Sequence, residues 1–133
     1  MIRVAAAQIG LGKGSYSRTL VEASRLVERA AEVEAQIVCF PEHWLLEFGE
    51  QGHNAGQDLA KAARDHEIYV LTGANYVGVG SDNSPERRIR CSLISPDGGF
   101  VGHQDKVHLF RDEKNVASPG EAYEILSTPL AKI

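Results

Sequence analysis

Apolar residues recur along this chain with two periods, one helical and one extended, and the switches between them lay out the elements. Residues 2 to 9, Ile2-Arg3-Val4-Ala5-Ala6-Ala7-Gln8-Ile9, form a mostly apolar run, the pattern of a strand covered on both faces. A break through Gly10, Gly12 and Gly14 follows, after which Ser15 or Ser17 can cap a helix. Leu20, Ala23, Val27, Ala30 and Ala31 then return at helical spacing, with Arg18, Glu22, Arg25, Glu28, Arg29 and Glu32 mostly opposite. This predicts an amphipathic helix of about four to five turns. Ile37 to Phe40 reads as a short buried strand that Pro41 stops. A second helix is expected near residues 56 to 66, with Leu59, Ala62 and Ala63 on its apolar side. Ile68 to Tyr76, Ile89 to Ile94 and Phe100 to Gln104 read as strands. The last two join through Pro96-Asp97-Gly98-Gly99, whose glycines supply the positive φ of a tight hairpin. Residues 106 to 122 read as loop, Tyr123 to Leu126 as a further strand, and Leu130 to Ile133 as the beginning of another.

The order β-α-β-α-β-β-β predicts two crossover units followed by hairpins: an α/β domain with a mixed sheet and helices on one face or both. No repeat, low-complexity tract or linker divides it, so residues 1 to 133 are expected to belong to one domain. The chain ends inside an apolar strand start, where domain ends are usually polar, and the expectation is of a domain cut short.

Composition narrows the partners. With 43% hydrophobic and 24% charged residues the chain is expected to be globular rather than disordered. A net charge of -4, a pI near 5.7 and dispersed Lys and Arg give no reason to expect nucleic acid or an anionic membrane. A small molecule or a protein is the expected partner. Cys39 and Cys91 lie in apolar strand-like runs, which suits buried reduced thiols and a cytoplasmic location. Met1 leads straight into the first strand without a signal-like segment, and no apolar run approaches the roughly 20 residues that span a bilayer.

Two strand ends carry the candidate chemistry. Glu42 follows Phe40-Pro41 at the mouth of a buried strand, where α/β sheets place catalytic groups, and a carboxylate partly withdrawn from water there suits a general base. Lys106 closes the strand after the hairpin among Val107, Leu109 and Phe110; an ammonium in a water-poor place can stabilise a developing oxyanion or a thiolate. Glu113, seven residues on, can pair with Lys106. A solvated loop glutamate and a surface lysine are the plainer readings of these residues taken singly.

Taken together, Phe40-Pro41-Glu42, Lys106-Val107-His108-Leu109-Phe110 with Glu113 and Pro119-Gly120, and the first-strand wording Val4-Ala5-Ala6-Ala7-Gln8 resemble the nitrilase, or carbon-nitrogen hydrolase, superfamily. The resemblance covers the whole chain and matches the N-terminal half of that domain. It implies a nitrilase-type α-β-β-α sandwich, with mixed sheets inside and helices outside, here incomplete. It also implies amidase-type hydrolysis of a non-peptide C–N bond by a Glu-Lys-Cys set. Glu42 would be the general base, Lys106 would steady the oxyanion, and Glu113 would match the substrate-side glutamate. His108 is expected to pack or hydrogen-bond behind Lys106. The family's cysteine would fall about five residues beyond Ile133, so the chain is expected to be inactive alone. Cys39 is three residues before Glu42 and points to the opposite face, and Cys91 lies mid-strand, so neither is expected to replace it. Small amide, N-carbamoyl or nitrile substrates, a C-terminal half on a separate chain, and a homo-oligomer are the implied partners; no cofactor or metal is implied. Gln104-Asp105 stands where many members have Tyr-Arg, which bears on substrate.

Two other readings stay open: a non-catalytic binding or regulatory remnant of the same fold, and an α/β nucleotide-binding module using Gly10-Leu11-Gly12-Lys13-Gly14-Ser15. That turn fails both the dinucleotide and the Walker spacings. His43, His53, His66, His103 and His108 show no metal-ligand spacing, and His43 can line the pocket.

Overall fold

A computed structural model describes residues 1–10, 15–45, 55–79 and 86–133, with the Val79 side chain left aside. The glycine-rich turn at 11–14, His53 and the Leu46 to Gly49 segment lie outside the described residues. Strands β1 (Val4–Ala6), β2 (Ile37–Cys39), β3 (Tyr69–Leu71), β4 (Asn75–Val79), β5 (Glu86–Ile94) and β6 (Phe100–Asp105) form one mixed sheet. Its order is β1-β2-β3-β5-β4, and β6 pairs with β5. The first three strands are parallel and the pairings of β5 are antiparallel.

Both helices cover the same face of this sheet. Helix α1 (Tyr16–Glu32) starts where the Ser15 hydroxyl accepts from the Arg18 N–H at 3.4 Å. Its Leu20, Ala23, Val27 and Ala30 are buried, the stripe that the spacing predicts. Helix α2 (Ala55–Asp65) buries Ala55, Leu59, Ala62 and Ala63. These side chains pack with Val38, Val70 and Ile94 from the sheet and with Phe40, Trp44 and Leu45 from the loop after β2. Ile37, Tyr69 and Leu93 form a smaller cluster on the other face, against Leu126, Leu130 and Ile133. Among the described residues no helix is long and apolar enough to cross a membrane.

Five expectations need correction. The run from 2 to 9 contains a strand of only three residues, exposed rather than covered on both faces: β1 is the sheet's outer strand and Val4 is 56% exposed. The expected strand from 68 to 76 is two strands. Leu71 opposes Leu93 and Asn75 opposes Arg90, so residues 72–74 face only 91–92, a bulge of one residue. Leu130 to Ile133 does not begin a strand of the main sheet. It folds back on Leu126 in a tight hairpin, with reciprocal Leu126 and Ile133 backbone bonds of 2.8 Å and a Ser127 to Lys132 bridge. Within the expected loop, Arg111–Asn115 forms a short 3-10 helix. Cys39 and Cys91 are partly rather than fully buried.

Candidate active site

The bulge between β3 and β4 is what positions Glu42. Gly73 adopts φ +71°, and a β-carbon there would stand 2.0 Å from the Pro41 carbonyl oxygen, so the two backbones meet where only glycine fits. The chain after β2 is tied down across this contact. The Phe40 N–H donates to Leu71 O at 3.0 Å, His43 N–H to Ala74 O at 2.9 Å, and Leu45 N–H to the Asn75 side-chain oxygen at 3.2 Å. The Trp44 indole, 1% exposed, donates to Thr72 O at 2.8 Å. The buried Asn75 amide donates in turn to Thr72 O and Gly73 O. A turn whose buried polar groups are met in this way is held as firmly as a strand.

Lys106 arrives from the opposite side. Its backbone N–H bonds to Ile89 O at 2.8 Å, and its carbonyl accepts from the Gly120 N–H at 2.9 Å. Next to it Asp105 binds Arg90 through both oxygens, at 2.6 and 2.9 Å. Burial tends to raise the Asp105 carboxyl, but the Arg90 hydrogen bond, the largest influence, holds it below the usual carboxylate range. The Gln104 amide donates to Ala122 O and accepts from the Glu124 N–H, pinning the following segment. The residues that depart from the family wording at this point thus serve β6 and its flank.

The two arms meet at one ammonium. Lys106 Nζ lies 2.7 Å from Glu42 Oε1 and 2.9 Å from the Glu113 carboxylate. Glu113 also accepts from the Phe110 N–H at 2.6 Å and lies 3.1 Å from His43 Nε2. The His43 ring stacks on Tyr76, with centroids 5.0 Å apart and planes at 19°. The three acidic and imidazole ligand atoms of Glu42, His43 and Glu113 lie within 4.8 Å of one another, a spacing that would suit a divalent ion. The Lys106 ammonium already bridges both carboxylates, so the cation of this cluster is the lysine.

Charge and burial follow from these contacts. The Glu113 side chain is 13% exposed; burial opposes its ionisation, but the Phe110 N–H, His43 and Lys106 outweigh that and hold it down to about 2. Burial likewise opposes the charge on Lys106, and hydrogen bonds to Glu42 and Glu113 overcome it, raising the ammonium above its ordinary 10.5. The stability contributed by Glu113 is therefore present above its unfolded value near 4.5 and lost as pH falls through about 2. That from Lys106 is present below 10.5 and lost as pH rises through its elevated value. Thermal melts of wild type and Glu113→Gln should differ at neutral pH and converge as pH drops through about 2; a gap that stays constant down to pH 2 would contradict the pairing.

Glu42, Lys106 and Glu113 are thus brought together, and Glu42 keeps 45% of its side chain exposed, more than the sequence suggested. His108 is not with them. The ladder ends at Asp105, alternation stops applying, and His108 is exposed with its ring 6.3 Å from Tyr123. Cys39 packs on the sheet face opposite the helices, beside Leu71 and the C-terminal hairpin, and burial pushes its thiol up. Burial does the same to Cys91. Sequence reasoning missed the Gly73 bulge and the Tyr76 wall. The one signal for the former was a Thr-Gly-Ala triplet inside an otherwise apolar run.

Comparison with known proteins gives the lineage. The Carbon-nitrogen hydrolase family profile matches residues 3–133, and the chain belongs to that family. Omega-amidase NIT2 of Xenopus tropicalis is 25% identical over 88% of this chain and 48% of its own length, and the mouse omega-amidase NIT2 is 26% identical over the same shares. The chain spans about half the length of the curated relatives it matches. Among solved structures, a carbon-nitrogen hydrolase from Helicobacter pylori G27 superposes with a TM-score of 0.81 at 17% identity, over 98% of this chain and 49% of its own. A nitrilase-superfamily amidase of Nesterenkonia AN1 gives 0.80 at 24%, over 96% and 52%. These likenesses show the nitrilase fold. One structure of the Nesterenkonia amidase holds butyramide, and another shows acrylamide added at its active-site cysteine.

Proposed function

We propose that this chain supplies the acid-and-lysine half of an amidase-type carbon-nitrogen hydrolase. The observation that carries the reading is the single Lys106 ammonium held at 2.7 Å from Glu42 and 2.9 Å from Glu113. Glu42, the more exposed of the two carboxylates, is the general base that takes the proton of a thiol and later of a water. Lys106, kept charged by both carboxylates, faces the oxyanion of the tetrahedral intermediate. Glu113 stays ionised and fixes where the ammonium points.

The attacking thiolate forms a bond to the amide carbon, and the C–N bond breaks as the protonated Glu42 gives its proton to the departing ammonia. A water deprotonated by Glu42 then breaks the C–S bond, releasing the acid and returning the proton to the thiol. Neither Cys39 nor Cys91 suits that role, since burial raises both thiols and neither stands with the Glu42–Lys106 pair in any contact of the cluster. The nucleophile is assigned to the complementary half of the family domain, and residues 1–133 alone are inactive. Small neutral amides are the favoured substrates, in line with the amidases among its relatives and with butyramide in a related structure. Two free cysteines fit a reducing, cytoplasmic setting, and exposed Val4 and Ile125 fit association with further chain or subunits. Joining these residues to the C-terminal half of a matched amidase and assaying ammonia release from butyramide tests the reading: the joined protein turns over and the 133-residue chain does not.

A further inference from the structure

His43 stands one residue beyond Phe40-Pro41-Glu42 and takes no role from that motif. Its backbone is in the left-handed region at φ 54°, an uncommon conformation for a residue with a side chain. The His43 N–H bond to Ala74 O fixes it there, and the conformation turns the ring away from the strand direction onto Tyr76. The ring is 29% exposed, and its Nε2 lies 3.1 Å from Glu113 Oε1 and 3.9 Å from Glu42 Oε1. An ionised carboxylate only accepts, so Nε2 carries the hydrogen and Glu113 receives it. Glu113 therefore takes hydrogen bonds from three directions: the Phe110 N–H, Lys106 and His43. Phe110 and Lys106 come from the same stretch of chain as Glu113. His43 is the direct contact from the Glu42 loop to this carboxylate, 70 residues away in sequence, beside the Lys106 ammonium that bridges Glu113 to Glu42.

We propose that His43 is a positioning residue: clamped on Tyr76, it donates its Nε2 hydrogen to Glu113 and locks the Glu113–Lys106 pair to the loop that carries Glu42. The purpose of that lock rests on the proposed amidase function; the lock itself does not. Among the described residues, the charged and titratable groups that face the ring are Glu42, Glu113 and, bridging them, Lys106, with Tyr76 beneath. His43 thereby couples the two arms of the site, so that the ammonium and both carboxylates keep one geometry.

The test is a carbon-detected titration of the Glu113 carboxyl in the 133-residue chain. In wild type Glu113 stays ionised through pH 3, as a value of about 2 requires. His43→Ala should move the titration up by about one pH unit, the size of one lost charge-assisted hydrogen bond. His43→Gln, which keeps a side-chain N–H at similar reach, should restore most of it. Tyr76→Ala leaves His43 in place but removes its wall and should move Glu113 in the same direction, which covers the case in which His43→Ala does not fold. Glu113 unmoved in a folded His43→Ala variant, or unmoved in Tyr76→Ala, overturns the proposal, as does His43→Gln behaving like alanine. Absence of amide hydrolysis in the joined protein would leave these titrations unaffected, so the two readings fail separately.

Discussion

In a joined hydrolase domain, Lys106→Ala should lower kcat for amide hydrolysis by about 10²–10³-fold, the usual loss when one preorganised oxyanion contact is removed. The reasoning is local. Nζ is shared between Glu42 and Glu113, and without it two carboxylates face each other within 4.8 Å. Their repulsion raises the proton affinity of at least one of them, so the proposed base and the proposed oxyanion contact are compromised together. Lys106→Arg should not rescue the rate, because a planar guanidinium cannot place one donor between two carboxylates as an ammonium does. Circular dichroism should show the fold retained, since the core between the helices and the sheet, with Val27, Leu59 and Val70, does not involve this residue. A joined Lys106→Ala protein within about threefold of wild type would remove the lysine from the mechanism.

Gly73→Ala should be the most damaging small substitution in the chain. The added carbon would lie 2.0 Å from Pro41 O and 3.0 Å from Phe40 O, backbone atoms that cannot swing aside, at a φ of +71° that alanine resists. Relief requires the Pro41 turn to lift away from the bulge, which breaks the His43 bond to Ala74, the Leu45 bond to Asn75 and the Trp44 bond to Thr72. Strain and lost bonds of this kind cost about 3–5 kcal/mol, enough to lower Tm by roughly 10 °C or more. The same movement would carry Glu42 away from Lys106. Thermal denaturation followed by circular dichroism checks this, and a melt within about 2 °C of wild type would mean that the turn does not depend on the close approach.

The parts of the fold that the sequence makes plain are those where one face decides everything. Leu20, Ala23, Val27 and Ala30 sit at helical spacing because one side of α1 meets the sheet, and no distant contact competes with that pattern. The strand from 68 to 76 misleads because its break goes with a distant contact: the run reads as one strand, but the bulge sets Gly73 against the Pro41 backbone, an approach that no local pattern announces. The first strand misleads in the other direction, since Val4 reads as buried while β1 pairs with β2 along one side alone among the described residues. In the site, Glu42 and Lys106 were legible as residues at strand ends, where sheets present chemistry. His43 was legible only as a residue that can line the pocket; its contact with Glu113, 70 positions away, and its left-handed backbone were not. His108 was expected behind Lys106 but is exposed, since β6 ends at Asp105 and the chain beyond it leaves the ladder.

The most direct test of the account is ammonia release from butyramide by these 133 residues joined to the C-terminal half of a matched family amidase, measured beside the 133-residue chain alone and beside the joined protein with Glu42→Gln. The joined protein should turn over, the chain alone should not, and the glutamine variant, which keeps the shape of Glu42 but cannot accept a proton, should lose at least about 10³-fold. Turnover by the chain alone, or a joined Glu42→Gln enzyme as active as its parent, would contradict it.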